Sequence, residues 1–316
     1  RLESLQPYAL YRPPGLKGSI LFPGIDGGAE WGGMAYDTKQ RRLFVNANEI
    51  PWQLQMVELQ DGTQSPEYAY MMLCSGCHGT DRRGDGVSVP GLLDVSTRMS
   101  AWSAWQLINK GRGRMPGFDN MPAIARASVL YYLWTEDADA NADTRIVDRE
   151  YKGGPLVNAG YQRLLDLENM PASQPPWGSL TAIDLNSGAD SAEVAWRIPF
   201  GNYPQMLEQE QEGLGSENYG GPIVTAGGLL FIAATPDKRL KAYSSETGEL
   251  LWQTTLPFAG FATPSTYMRN GRQFLVIAAG GGKLGQVSGS TYVAFALPEP
   301  KPIAVNAKPE DAYSHQ

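Results

Sequence analysis

Two stretches of this chain repeat one another, and the repeat limits the available folds more than any other feature. Residues 178–201 run Gly-Ser-Leu-Thr-Ala-Ile-Asp-Leu-Asn-Ser-Gly and continue to Trp196 and a Pro-Phe-Gly turn. Residues 228–257 follow the same plan: a strand over 229–234, then Leu240-Lys-Ala-Tyr-Ser-Ser-Glu-Thr-Gly248, then Trp252 and Leu-Pro. Ala182 stands six residues before Gly188, and Ala242 six before Gly248. The tryptophan follows at unequal distances, and Ala189-Asp190-Ser191-Ala192 reads as an insertion in the first copy. Short β-rich segments, Ser/Thr-Gly turns and a recurrent tryptophan suit stacked antiparallel blades. Residues 33–48, with Leu43-Phe44-Val45 as a strand, and 273–279 followed by 292–297 read as further blade pieces. Spacing alone also fits a β-sandwich with two similar hairpins. The 36 Gly and 23 Pro suit turn-dense β structure in either case.

Between these β segments lies Cys74-Ser75-Gly76-Cys77-His78. Two thiols three positions apart, followed by a histidine, form a c-type haem attachment pattern, in which the imidazole becomes an axial ligand of the iron. The whole chain has 2 Cys and 2 His, the other being His315, so a four-ligand structural zinc site cannot be assembled here. A thioredoxin-like pair would need neither the histidine nor these surroundings. The spacing predicts helices over 66–73, 100–110 and 123–134, with a polar, glycine-rich loop at 79–86. Electron transfer needs a sixth ligand. Met115, in Gly111-Arg-Gly-Arg-Met-Pro-Gly-Phe118, is the leading candidate, with glycines that let the backbone approach the porphyrin and Pro116 fixing the chain beyond the sulfur. Met99 and Met121 are its rivals, since a methionine also serves simply to fill a core.

Residues 66–137 resemble a class I cytochrome c domain, whose axial methionine lies in such a Gly-rich, Met-Pro segment. A second resemblance rests on three words: Phe22-Pro-Gly-Ile-Asp26-Gly-Gly-Ala-Glu30-Trp31-Gly-Gly33, Asn218-Tyr219-Gly-Gly-Pro-Ile-Val-Thr-Ala-Gly-Gly228, and Gln273-Phe-Leu-Val-Ile-Ala-Ala-Gly-Gly-Gly-Lys283. Together with the Ala…Gly…Trp repeats they resemble the C-terminal portion of pyrroloquinoline quinone (PQQ)-dependent dehydrogenases, over nearly all of 18–298. The similarity is to the glucose dehydrogenase-like group that carries an inserted cytochrome. The fold so implied is mainly β, part of an eight-bladed PQQ-type β-propeller with an inserted all-α cytochrome c domain. The boundaries follow: 1–63 as a propeller blade segment, 64–137 as the cytochrome, 138–177 as a linker and return to the propeller, 178–298 as blades, and 299–316 as a C-terminal tail. At ~50 residues per blade, the β material makes about half a ring. The chain starts at Arg1 without an initiator methionine, so it is expected to be part of a longer or nicked polypeptide whose other half lies beside it.

For the site, the resemblance implies PQQ contacts from Glu30, Trp31, Asn218 and Tyr219. Many alcohol-oxidising relatives have Asn where Glu30 stands, and Glu30 equally suits a buried salt bridge. Gly220 and Gly221 have an equally good structural reason in close packing near the propeller axis. Lys283 is a weaker candidate. The implied chemistry is oxidation of an alcohol or sugar by PQQ with a divalent cation, calcium, as Lewis acid, and passage of electrons to haem c and a downstream acceptor. The catalytic base and most calcium ligands are expected outside this chain. An alternative is a non-catalytic electron-transfer cytochrome subunit, docked through a partial propeller to a separate dehydrogenase. A propeller interaction module is a third reading, which the words at 26–33 and 218–228 disfavour. Net charge of −7 and the lack of a basic run argue against nucleic acid, and no apolar stretch reaches the ~18–20 residues of a membrane span. Covalent haem c implies a periplasmic location.

Overall fold

The computed structural model of the chain describes residues 5–29, 32–58, 66–79, 81–84, 89–135, 156–166, 168–186 and 192–297. Its β strands fall into four antiparallel sheets. The first is four-stranded, in the order β2 (Ala35–Asp37), β3 (Arg42–Asn48), β6 (Gly178–Asp184), β7 (Glu193–Pro199). The second, also four-stranded, runs β8 (Ile223–Val224), β9 (Leu229–Ile232), β10 (Arg239–Ser244), β11 (Leu250–Thr255) in sequence order. The third holds β12 (Ser265–Arg269), β13 (Arg272–Ala279) and β14 (Thr291–Ala296). Period-two alternation is clear in β3, where Phe44, Asn46 and Asn48 are buried and their neighbours only partly so.

The sequence repeat is a repeat in space. Ala182 stands opposite Trp196, Ala242 stands opposite Trp252, and the ladder bulges immediately after each alanine. Each tryptophan reaches beyond its own sheet. Trp196 packs on Phe44 at 5.9 Å between ring centroids, donates from Nε1 to the Ser245 carbonyl at 3.2 Å, and covers Gly248 of the second sheet. Gly248 has φ of +75°, and a Cβ there would lie 2.8 Å from the Trp196 ring, so glycine is required twice over. Trp252 meets Phe295 of the third sheet edge-on at 5.7 Å.

The sheets stack face to face. Phe44, Leu180, Ala182 and Phe200 pack against Leu230, Ile232, Ala234 and Tyr243 between the first two. Ala233, Leu240 and Leu256 pack against Leu275, Ile277 and Ala279 between the second and third. This is blade-on-blade stacking, with each sheet's buried face covered by the next. Among the described residues there are two four-stranded blades and a three-stranded one, fewer than the half-ring expected from residue count. The difference lies in β1 (Ser19–Leu21), β4 (Trp52–Glu58) and β5 (Leu156–Arg163), which form a separate sheet in the order β1-β4-β5. The β4–β5 hairpin leaves the first blade between its adjacent strands β3 and β6. At its base Glu49 N donates to the Trp177 carbonyl and Leu164 N to the Pro51 carbonyl. Ile50, Trp52, Met170, Trp177 and Met206 form a small core there.

Beyond the hairpin, residues 66–135 contain α1 (Pro66–Leu73), α2 (Ser75–His78), α3 (Val95–Arg98), α4 (Ala101–Lys110) and α5 (Ala123–Thr135). The expected helices are present, and α2 and α3 are two short turns that periodicity could not resolve. Ser100 caps α4 by accepting from Ser103 N. On α4 and α5 the buried residues are Ala104, Ile108, Val129, Tyr132 and Leu133, while Trp102 and Ile124 face outward. One further helix, α6 (Pro204–Glu208), follows the first blade. No described helix is long and apolar enough to cross a membrane.

Candidate cofactor sites

The chain turns continuously from α1 into α2, with Cys74 N donating to the Tyr70 carbonyl at 2.8 Å and His78 N to the Cys74 carbonyl at 2.9 Å. Cys74 is buried and Cys77 exposed, and both are free thiols. Burial, with a smaller contribution from Cys77, pushes the Cys74 thiol up to about 12. His78 is buried, and its Nδ1 lies 2.9 Å from the Pro90 carbonyl. That bond fixes the tautomer with the proton on Nδ1 and leaves Nε2 as the ring nitrogen for a metal. Tyr70 donates to the Gly79 carbonyl at 2.6 Å and packs on Tyr132 at 5.1 Å, which braces the turn that carries His78.

Met115 and Met99 both pack on the apolar cluster that includes Cys74, Val95, Ile108 and Val129, whereas Met121 lies outside it. Met115 sits in a tight loop in which Arg112 and Met115 exchange backbone hydrogen bonds, closed by Phe118 N on the Ile108 carbonyl. A Cβ on Gly111 or Gly117 would overlap the loop's own backbone. Those two glycines thus have a packing reason within the loop. These residues fit a covalently held haem: two thiols and an imidazole on one turn, a ring nitrogen left over, and a thioether in the adjoining apolar wall.

A second cluster lies where the sequence words meet. The Gly32 and Gly220–Gly221 backbones touch so closely that a Cβ on Gly32 or Gly221 would overlap the facing chain. Thr263 Oγ1 joins them, accepting from Gly221 N and donating to the Gly32 carbonyl, both at 2.9 Å. Beside this junction Arg163, at the end of β5, forms a two-point ion pair with Glu217, with Nη2 at 2.7 Å and Nε at 3.1 and 3.2 Å from the carboxylate. Tyr219 donates to Glu217 Oε1 at 2.9 Å. The Arg163 guanidinium stacks on Trp52 at 4.9 Å, and Lys283 Nζ lies 4.0 Å from the Tyr219 ring centroid.

Burial pushes the Glu217 carboxyl upward, and Arg163 and the Tyr219 hydroxyl draw it part of the way back. Burial alone would lower Arg163. The facing Glu217 reverses this and holds the guanidinium above its ordinary value. Burial and the Glu217 charge together raise the Tyr219 phenol. Asp26 Oδ2 and Trp52 Nε1 are buried without a hydrogen-bond partner among the described residues. Among the described residues, this buried acceptor and buried donor beside the Arg163–Glu217 pair fit a polar ligand with an associated cation.

Of the residues expected at the quinone, Asn218 and Tyr219 are brought to this cluster. Asn218 is completely buried. Its Oδ1 accepts from Asn46 at 2.7 Å, its Nδ2 donates to the Ala47 and Ser216 carbonyls, and its backbone pairs with Asn48. Glu30 and Trp31 lie outside the described residues. Sequence reasoning missed Arg163, Glu217 and Trp52. Glu217 adjoins a word that was singled out, but Arg163 stands in an unmarked strand, and only the fold brings the two together.

Stacked Trp-marked blades, with a Cys-x-x-Cys-His turn on a hairpin that rises from the first of them, form a propeller-type β architecture joined to a small helical module. The β-propeller domain of glucose/ethanol/alcohol dehydrogenases, the PQQ family, matches residues 1–84 and 124–275, and the chain belongs to that family. Subunit III of cbb3-type cytochrome c oxidase matches residues 61–133. Quinate/shikimate dehydrogenase (quinone) of Acinetobacter baylyi is 27% identical over 302 residues, 93% of this chain and 28% of the relative. Quinoprotein glucose dehydrogenase of Escherichia coli is 29% identical over 296 residues, 92% of this chain and 28% of the relative. These relatives are oxidoreductases acting on CH–OH groups, and the chain spans about 28% of their length. Quinohemoprotein alcohol dehydrogenase from Comamonas testosteroni superposes with a TM-score of 0.43 at 18% identity, over 88% of this chain and 27% of that one.

Proposed function

We propose that this chain is the C-terminal part of a periplasmic quinohaemoprotein dehydrogenase, with an inserted class I cytochrome c in an eight-bladed propeller completed by the rest of the polypeptide. PQQ, with a calcium ion, would accept the electrons of alcohol or sugar oxidation, and haem c would relay them singly to a downstream acceptor. The carrying observation is the His78 turn: Cys74, Cys77 and an imidazole oriented by Pro90, mounted on a hairpin that rises from a blade of the PQQ family.

In this reading Cys74 and Cys77 hold the haem, and His78 Nε2 and the Met115 sulfur ligate its iron. Tyr70 keeps the His78 turn in place through Gly79. Tyr219, held by Glu217, and Trp31 line the quinone, with Glu30 on the same side, while Asn218, bonded to Asn46, Ala47 and Ser216, braces the segment that carries Tyr219. The domain boundaries at 63/64, 137/138, 177/178 and 298/299 belong to the same proposal.

The test is reconstitution of the full-length, haem-loaded protein with PQQ and calcium, followed by addition of alcohols, sugars and quinate. Substrate-dependent reduction of the haem is the expected result. A complete protein that carries haem but binds no PQQ would overturn the proposal in favour of a non-catalytic electron-carrier subunit.

A further inference from the structure

The buried Arg163–Glu217 pair joins two parts of the molecule that the chain itself keeps far apart. Arg163 is the last residue of β5, the strand that returns from the helical module. Glu217 opens the segment that contributes Tyr219 and the Gly220–Gly221 junction. Both side chains are nearly sealed, with 10% and 3% exposure. A surface pair of this kind would contribute little, but a buried two-point Arg–carboxylate pair fixes both direction and distance.

The other end of the connection is equally short. The haem-attachment turn α2 packs against β5. Gly79, directly after His78, has φ of +77°, and a Cβ there would come within 2.9 Å of Gln162 Nε2. Gln162 is the residue before Arg163. One rigid strand end therefore touches the His78 turn through Gln162 and the Glu217–Tyr219 segment through Arg163. Across the ladder, Gln53 pairs with Gln162 and Trp52 with Arg163, whose guanidinium carbon lies over the Trp52 ring at 4.9 Å from its centroid.

We propose that Arg163 is a positioning residue for electron transfer. Its ion pair with Glu217 clamps the haem-bearing hairpin to the Glu217–Gly221 segment of the propeller and so sets the placement of the haem relative to the quinone site. This rests on the functional reading above. The clamp works through neighbouring protein groups: Arg163 bonds Glu217, and Gln162 lies beside Gly79.

The experiment uses full-length protein carrying Arg163→Met, Arg163→Lys, or Arg163→Met together with Glu217→Leu. The double variant keeps the site filled without a stranded charge, should the single variant fail to fold. In haem-loaded protein without PQQ, hydrogen exchange across 156–163 and 66–79 is expected to accelerate in all three. The haem spectrum and midpoint potential are expected to stay as in the wild type. With PQQ present, substrate-driven haem reduction is compared with reduction of a small-molecule dye. The ratio of haem-coupled to dye-coupled turnover is expected to fall ~10-fold or more, on the scale of an ångström-sized or larger displacement between donor and acceptor. Arg163→Lys should fall between, since it keeps the charge but loses the fork.

Unchanged exchange in the double variant, or an unchanged ratio in the single variants, overturns the clamp. In the single variants, which keep Glu217 and its bond to Tyr219, a parallel loss of both turnovers also overturns it, by placing Arg163 in the quinone site instead. Failure of the functional reading is separate: wild-type protein would then bind no PQQ, while the exchange measurement would still report on the clamp.

Discussion

Gly248→Ala, combined with Trp196→Ala, tests whether the recurrent tryptophan holds one blade to the next. Two costs act on Gly248→Ala. The positive φ of +75° carries a penalty of about 1–2 kcal/mol for any L side chain. The new Cβ would also lie 2.8 Å from the Trp196 ring, and such overpacking costs a further ~1–3 kcal/mol. Gly271 supplies the control, since it has φ of +74° in the β12–β13 turn with nothing within 4 Å, so that Gly271→Ala reports the backbone penalty alone. Trp196→Ala should cost about 2–4 kcal/mol, near the low end for a tryptophan because the ring is only partly buried. In the double variant the ring is gone and the clash with it. The summed losses should then exceed the observed one by ~1–2 kcal/mol. Urea unfolding of the full-length protein, followed by far-ultraviolet circular dichroism so that loss of an indole does not disturb the signal, measures all four variants and the parent. If Gly248→Ala costs no more than Gly271→Ala, or if the two losses simply add, the tryptophan does not seat on the glycine.

Three further outcomes are expected. Met115→Ala should abolish the near-infrared sulfur-to-iron absorption of the oxidised haem protein; survival of that band would transfer the axial role to Met99, which packs on the same cluster. In protein prepared without haem, iodoacetamide with peptide mass mapping should find Cys77 alkylated well before Cys74 at pH 8. A thiol at about 12 is ionised to only ~1 part in 10⁴ there, and because the folded value is raised, stability should decline as pH climbs from about 9 toward 12. If the proposed function holds, Trp31→Ala in the full-length protein should weaken PQQ binding about fivefold, the equivalent of ~1 kcal/mol of stacking, with an unchanged haem spectrum; unaltered affinity and turnover would make Trp31 a core residue.

The blade repeat was legible because its signal is local. Ala182 and Ala242 must be small opposite Trp196 and Trp252, and Gly248 must be glycine, so the residues announce the geometry within twenty positions of one another. The His78 turn was legible for the same reason. The Pro90 carbonyl was not, since any backbone carbonyl can receive Nδ1 and nothing in the side chain marks which one does. Arg163 was hidden more deeply. Its partner lies far along the chain at Glu217, and one arginine at the end of a strand carries no spacing, flanking glycine or periodicity to set it apart. The words at 26–33 and 218–228 were each legible alone, but glycine pairs do not reveal that their backbones touch each other.

The placement of the helical module follows from how an insertion can be tolerated by a blade. Strands β3 and β6 are adjacent in one sheet and register residue for residue from Arg42↔Asp184 to Asn48↔Gly178, yet everything from Glu49 to Trp177 lies between them in sequence. A loosely tethered insert would leave that ladder to close a long loop, and loop closure grows costlier with length. The β4–β5 hairpin removes the problem. Its ladder runs from Trp52↔Arg163 to Glu58↔Leu156, so the two ends of the module are already paired before they reach the blade. The Glu49–Trp177 and Leu164–Pro51 hydrogen bonds then close the neck. From the blade's side, β3 and β6 are joined by a short, rigid loop, and the fold of the module is isolated from the fold of the sheet. The same neck dictates where function must couple. At that neck β1 pairs along β4, Ile50, Trp52, Met170, Trp177 and Met206 pack together, and the buried Arg163–Glu217 pair adds a directional tie from the hairpin to the segment that carries Tyr219.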